Sequence, residues 1–193
     1  ACSDSDGFVH DPKGIDLDLL KQVKLVERGR VADYAAGRPA SATYVEGPGI
    51  WTLPCHVALP CATQNELTLS DARSLLENRC LAVAEGANMP TTPDAVRLLQ
   101  EAGVLFAPGK AANAGGVATS ALERQQNASR DSWTFEHGED RLAGIMRSIH
   151  DQCAATADEY AVTGNYVAGA NIAGFLRVSK AMTALGLVCA RSL

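Results

Sequence analysis

Three strings in this sequence share one composition: small residues with a hydroxyl or an amide, placed directly after a short apolar run. They are Pro60-Cys61-Ala62-Thr63-Gln64-Asn65, Glu85-Gly86-Ala87-Asn88 and Pro108-Gly109-Lys110-Ala111-Ala112-Asn113. Glycine and alanine let a backbone or a ligand come close, and an amide donates and accepts without adding charge. That combination suits a sugar hydroxyl or a carboxamide. One such string alone reads as readily as a tight connection with asparagine as a cap. Three in succession point to a ligand.

These strings need elements to carry them. The spacing predicts a helix over 15–28, with Ile15, Leu19, Leu20 and Val23 on one face and Gly29 as a stop, then a short helix over 31–36. Residues 44–60 read as strand and loop, with 56–59 as a buried strand. Ser70 is read as the N-cap of a helix to Glu77, and residues 81–84 as the next strand. Thr92-Pro93-Asp94 opens a helix to Glu101, closed by Gly103. Residues 104–106 form a further strand, and a long helix starts within PGKAANAGGVATS and reaches Arg130. Helices over 138–160 and 165–184 complete the chain. Strands that alternate with helices imply βαβ units, an α/β fold and a mostly parallel sheet with helices on both faces. Ligands of such sheets gather at the carboxyl ends of the strands, where all three strings lie.

The opening turn adds a second site. Ser3-Asp4-Ser5-Asp6-Gly7 follows a strand ending that includes Ala1-Cys2. In dinucleotide folds this position reads the adenosine ribose: an acid suits NAD, donors and positive charge suit NADP. Asp4 fits the first. Ser3 and Ser5, with Lys24, fit the second. A solvated capping turn is the plain alternative.

Bulk composition narrows the field. Of the 193 residues 47% are hydrophobic and 20% charged, so the chain can bury a core, and disorder is not expected. The net charge is −5 with no basic cluster, which argues against nucleic acid. Apolar runs are too short for a membrane span, and no signal peptide is evident. The histidines (10, 56, 137, 150) and the cysteines (Cys2, Cys55, Cys61, Cys80, Cys153, Cys189) show no zinc spacing, so no metal is expected. The cysteines read as buried free thiols of a reducing cytosol. The terminal Arg191-Ser192-Leu193 faintly resembles a peroxisomal address. Ala1 opens in mid-pattern without a methionine, which reads as a piece of something longer.

The strings LPCATQNEL, AVAEGANMPTT and PGKAANAGGVATS, with GRVADY and NYVAGANIAGF, resemble in order the coenzyme domain of hexameric glutamate dehydrogenases, nearest the small NADP-preferring microbial type. The resemblance implies a Rossmann-like cofactor domain over 1–164 whose first strand and glycine-rich loop are missing, and a C-terminal helical segment over 165–193 packing toward an absent substrate domain. It implies Ala62 and Thr63 along the adenosine side, Asn88 at the nicotinamide ribose and Asn113 at the carboxamide. Gly116 and Val117 would border the substrate, and Ser120 would bond a substrate carboxylate. Ser3, Asp4, Ser5 and Lys24 match the 2′-phosphate site, with NAD left open because Asp4 repels a phosphate unless a cation offsets it. It further implies conversion of L-glutamate to 2-oxoglutarate and ammonia, a cytoplasmic homohexamer, and catalytic groups upstream, so that this chain alone is inactive. Two alternatives stand: a leucine, phenylalanine or valine dehydrogenase, and a nucleotide-binding or structural module without chemistry.

Overall fold

The computed structural model describes residues 1–186; Cys189 and the terminal Arg191-Ser192-Leu193 lie outside them. The chain divides into two compact units, Ala1–Cys55 with Arg73–Arg79, and His56–Ala72 with residues from Cys80 on.

The first unit is built on an antiparallel sheet that the sequence reading did not anticipate. Strands β1 (Cys2–Ser3), β2 (Gly7–His10) and β3 (Thr43–Glu46) lie in that order, with Val9 opposite Cys2 and Tyr44. Helix α1 (Leu17–Lys21) is capped by Asp16, which accepts from the Leu19 N–H. It passes into a π-helical stretch, Gln22–Val26, so the expected helix over 15–28 is shorter and wider at its end. Helix α2 (Val31–Gly37) falls where expected. Val9, Val23, Val31, Tyr34 and Ala35 form this unit's core, with Ile15, Leu19 and Leu20 packed against it. Beside that core Asp11, 4% exposed, pairs with Arg38 at 2.8 Å and accepts from the Tyr34 and Ser41 hydroxyls.

The second unit holds the expected parallel sheet, in the order β4 (Val57–Ala58), β5 (Ala82–Ala84), β6 (Leu105–Ala107). The strands are short, two or three residues each, and one row faces the core. Ala58, Val83 and Phe106 form that buried row. The opposite face carries Val57, Ala82 and Leu105 in register; Val57 and Leu105 are more than half exposed, as is Leu59 just past β4. Parallel sheets are ordinarily covered on both sides.

Helix α3 (Leu69–Glu77) starts one residue before Ser70, which corrects the expected cap. Thr68 makes the start instead: its N–H and its hydroxyl both donate to the Asp71 carboxylate, at 2.9 and 2.7 Å. Helix α4 (Pro93–Glu101) has Thr92 at its cap and proline in its first turn, and packs on β6. The expected long helix after β6 is split by Asn113 into α5 (Gly109–Ala112) and α6 (Ala114–Ser129). Helices α7 (Phe135–Glu159) and α8 (Tyr166–Leu185) pack along each other. At their crossing Gly169 lies so close to the Cys153 carbonyl that a β-carbon would not fit. Gly174 faces open space. No described helix is long and apolar enough to cross a membrane.

Candidate functional site

The ends of β4, β5 and β6 open into a cleft of about 520 Å³, lined by residues 61–64, 86–88, 113 and 116–117. The three strings therefore meet, as their shared position at the carboxyl ends requires. Ala62, Thr63, Asn88, Asn113, Gly116 and Val117 all line the cleft. Ser120 does not. It sits one turn further along α6, and its hydroxyl donates to the Gly116 carbonyl at 3.2 Å.

Backbone bonds hold the loops in register. The Gly86 and Ala87 N–H groups both donate to the Pro60 carbonyl, at 2.9 and 3.1 Å. The Asn65 N–H donates to the Met89 carbonyl at 3.1 Å. Gly86 lies close against Cys61, whose Sγ would have to move aside for a side chain there. Gly109 is more tightly constrained: an added β-carbon would stand 2.8 Å from the Ala87 carbonyl oxygen, a backbone atom. Gly115 points its missing side chain toward Leu142 and Met146 of α7, whereas a β-carbon on Gly116 would meet nothing within 4 Å. Of the two glycines, Gly116 is the one that leaves space in the cleft.

At one end of the cleft two amides are joined. The Asn113 NH₂ donates to the Asn88 Oδ1 at 2.7 Å and to the Ala87 carbonyl at 3.1 Å. Both its donors are thus committed to the protein. The Asn113 Oδ1 and the Asn88 NH₂ have no partner among the described residues, leaving one acceptor and one donor group for a ligand. The lining holds no carboxylate, histidine, lysine or arginine, so it is polar without being charged.

Sequence reading passed over two residues here. Glu85, 6% exposed, lies beneath the loops and accepts from the Gly109 N–H at 2.6 Å. Its burial was the missing signal, and burial follows from the fold. Cys61 is exposed and lines the cleft, which corrects the expectation of uniformly buried thiols. Cys80 and Cys153 are buried as expected, and none of the five described cysteines is in a disulfide. Lys110 donates to the Asn171 side chain of α8, away from the residues that line the cleft. No metal-binding group of side chains occurs among the described residues.

In the first unit, the opening turn is brought together with Lys24 as expected. The Lys24 ammonium lies 3.0 Å from the Asp4 carboxylate, which also accepts from the Val31 N–H. Burial pushes the Asp4 carboxyl up, but the Lys24 and backbone bonds outweigh it and hold the group below its usual range. Arg30 joins the turn without having been singled out: its guanidinium donates to the Ser5 hydroxyl at 2.8 Å and pairs with Asp6 at 3.0 Å. Ser3 is exposed at the end of β1. Two cations thus offset two carboxylates beside two hydroxyls.

Comparison with known proteins follows the same lines. The family model for Glutamate/Leucine/Phenylalanine/Valine dehydrogenase matches residues 1–186. An NADP-specific glutamate dehydrogenase of Salmonella typhimurium is 54% identical over 96% of this chain, which spans 42% of that relative. An NAD(P)-specific glutamate dehydrogenase of Xylanibacter ruminicola is 47% identical over 96% of the chain and 42% of its own length. The crystal structure of a Plasmodium falciparum glutamate dehydrogenase superposes with a TM-score of 0.91 at 41% identity, covering 96% of this chain and 40% of that one.

Proposed function

Because the chain belongs to the Glutamate/Leucine/Phenylalanine/Valine dehydrogenase family, we propose that it is the cofactor-binding part of an NADP-dependent glutamate dehydrogenase. The reaction interconverts L-glutamate and 2-oxoglutarate plus ammonia. The single observation that carries this reading is the joined Asn88–Asn113 pair in an uncharged cleft at three parallel strand ends.

The residues present fit a nicotinamide nucleotide. The free acceptor on Asn113 matches the N–H of a carboxamide, and the free donor on Asn88 matches a ribose hydroxyl. The open space at Gly116 admits a flat ring, with Val117 as an apolar neighbour. Ala62 and Thr63 border the adenosine side. Ser120 is assigned to a substrate carboxylate by its place on α6. When bound, the nicotinamide supplies hydride transfer at the substrate α-carbon. The chain's own part is to hold and orient the reactants and to keep charged groups away from them. No acid or base lines the cleft, so proton transfer is assigned to groups outside these residues.

The choice of NADP rests on the opening turn. With Asp4 neutralised by Lys24, the Ser3 and Ser5 hydroxyls, Lys24 and Arg30 suit a 2′-phosphate. NAD use at a lower affinity is compatible with the same turn. Residues 1–164 are assigned to the cofactor domain and 165–193 to the segment that packs toward a substrate domain. A cytoplasmic homohexamer completes the proposal.

The test is an assay of the natural-length protein with NADP⁺ and NAD⁺ against glutamate, leucine, phenylalanine and valine. Turnover with glutamate and a preference for NADP⁺ are expected, and Arg30→Ala should erode that preference about tenfold. Turnover with leucine and not glutamate selects the other branch of the family. Cofactor binding without turnover on any amino acid selects a binding module.

A further inference from the structure

The Glu85 carboxylate is buried and spends both oxygens on backbone N–H groups of two different loops. Its Oε2 accepts from Gly109 at 2.6 Å, and its Oε1 accepts from Thr91 at 3.3 Å. Its own N–H donates to the Ala107 carbonyl at 3.1 Å. No ion pair to Glu85 occurs among the described residues. A buried carboxylate without a cation is costly, so its position calls for a reason.

The bonds it makes supply one. Residues 85–91 form a loop with Asn88 near its apex, and one side chain fastens both ends of that loop. The same side chain fastens Gly109. Gly109 in turn accepts the Asn113 N–H at 2.8 Å, and the Asn113 amide closes the circuit on Ala87 and Asn88. Besides their direct bond at 2.7 Å, the two amides are tied beneath the cleft through Glu85, which bonds the Asn88 loop at Thr91 and the Asn113 loop at Gly109. The two loops approach closely at this point, where a β-carbon on Gly109 would stand 2.8 Å from the Ala87 carbonyl oxygen.

We propose that Glu85 is a positioning residue: it sets the spacing of Asn88 and Asn113, and through them the grip on the nicotinamide half of the cofactor. This rests on the cofactor reading above. An amide cannot replace the carboxylate, since one of the two N–H donors would then face an NH₂. Glu85→Gln is therefore a near-isosteric variant that breaks one of the two bonds.

The experiment measures binding of NADPH and of 2′,5′-ADP, which lacks the nicotinamide half, to the natural-length protein. Glu85→Gln should weaken NADPH about tenfold while changing 2′,5′-ADP less than about twofold. In an Asn113→Ala background the effect of Glu85→Gln on NADPH should largely vanish, because the residue it acts through is gone. If Glu85→Gln does not fold, Glu85→Asp keeps both oxygens on a shorter arm and should show the same selective loss. Equal weakening of both ligands, or an undiminished effect in the Asn113→Ala background, overturns the assignment. A wild-type protein that holds 2′,5′-ADP but not NADPH overturns it as well. One that holds neither ligand refutes the cofactor reading itself.

Discussion

Alanine at Gly116 should strengthen the fold and weaken binding at once. Gly115 and Gly116 are the second and third residues of α6. A β-carbon at Gly115 would meet Leu142 Cδ1 and Met146 Sδ at 3.6 Å, ordinary contact, and one at Gly116 would meet nothing within 4 Å. Neither has the left-handed backbone that penalises alanine. Alanine in place of helical glycine is worth about 0.5–1 kcal/mol. For a chain of this size that raises the melting midpoint by about 1–4 °C. The two positions differ only in what they face. The Gly116 methyl enters the cleft, and a methyl forced against a packed ligand costs about 1–3 kcal/mol, or roughly 5- to 150-fold in affinity. Urea unfolding followed by circular dichroism, and NADPH fluorescence titration, read the two effects separately. Gly115→Ala serves as the control: equal or better stability, unchanged binding. If Gly116→Ala binds NADPH like the wild type while Gly115→Ala loses it, the face of α6 assigned to the cleft is wrong. If Gly116→Ala is destabilised, the space at that position is not open.

Two more outcomes follow from groups already described. Burial pushes the Asp11 carboxyl up, but the Lys13 N–H, the Tyr34 hydroxyl, the Arg38 charge and the Ser41 hydroxyl outweigh it, so the group sits below its ordinary value. Its stabilisation is then present above the unfolded value of about 3.9, and is lost as pH falls through the lower folded value. Asp11→Asn should unfold more readily at neutral pH, and the gap to wild type should narrow below about pH 3.9; a gap that widens on acidification refutes this. Iodoacetamide should alkylate Cys61 before Cys153, whose thiol burial pushes up, and bound NADPH should slow the reaction at Cys61. Peptide mass mapping decides it, and labelling of Cys153 first, or no protection by NADPH, counts against the cleft.

Local chemistry carried much of the site. The strings ending in Asn88 and Asn113 were readable because each follows an apolar run and each combines bare residues with an amide. The fold brings the two amides within 2.7 Å of each other. What sequence could not show depends on distant residues. Gly115 and Gly116 look alike in one dimension, and only the path of α7 tells which of them faces the cleft. Glu85 reads as punctuation until the fold buries it. Arg30 and Ser5 are 25 positions apart, so nothing local ties them. The strand Gly7–His10 was missed because it is only four residues long, and the Asp6-Gly7 dipeptide at its start was read as part of a ribose-binding turn and not as the turn of a hairpin. The Ser70 cap failed because Thr68 and Asp71, three apart, form a better-bonded start than Ser70 alone.

The bare side of the parallel sheet has a practical consequence at the bench. Val57 on β4, Leu59 just past it and Leu105 on β6 present branched aliphatic surface to water, and β4 and β6 are the two outermost strands, on either side of β5. A purified sample of these residues should be sticky: light scattering should rise with concentration, and a charged substitution such as Leu105→Lys should improve handling while sparing the cleft at the opposite chemistry-bearing loops.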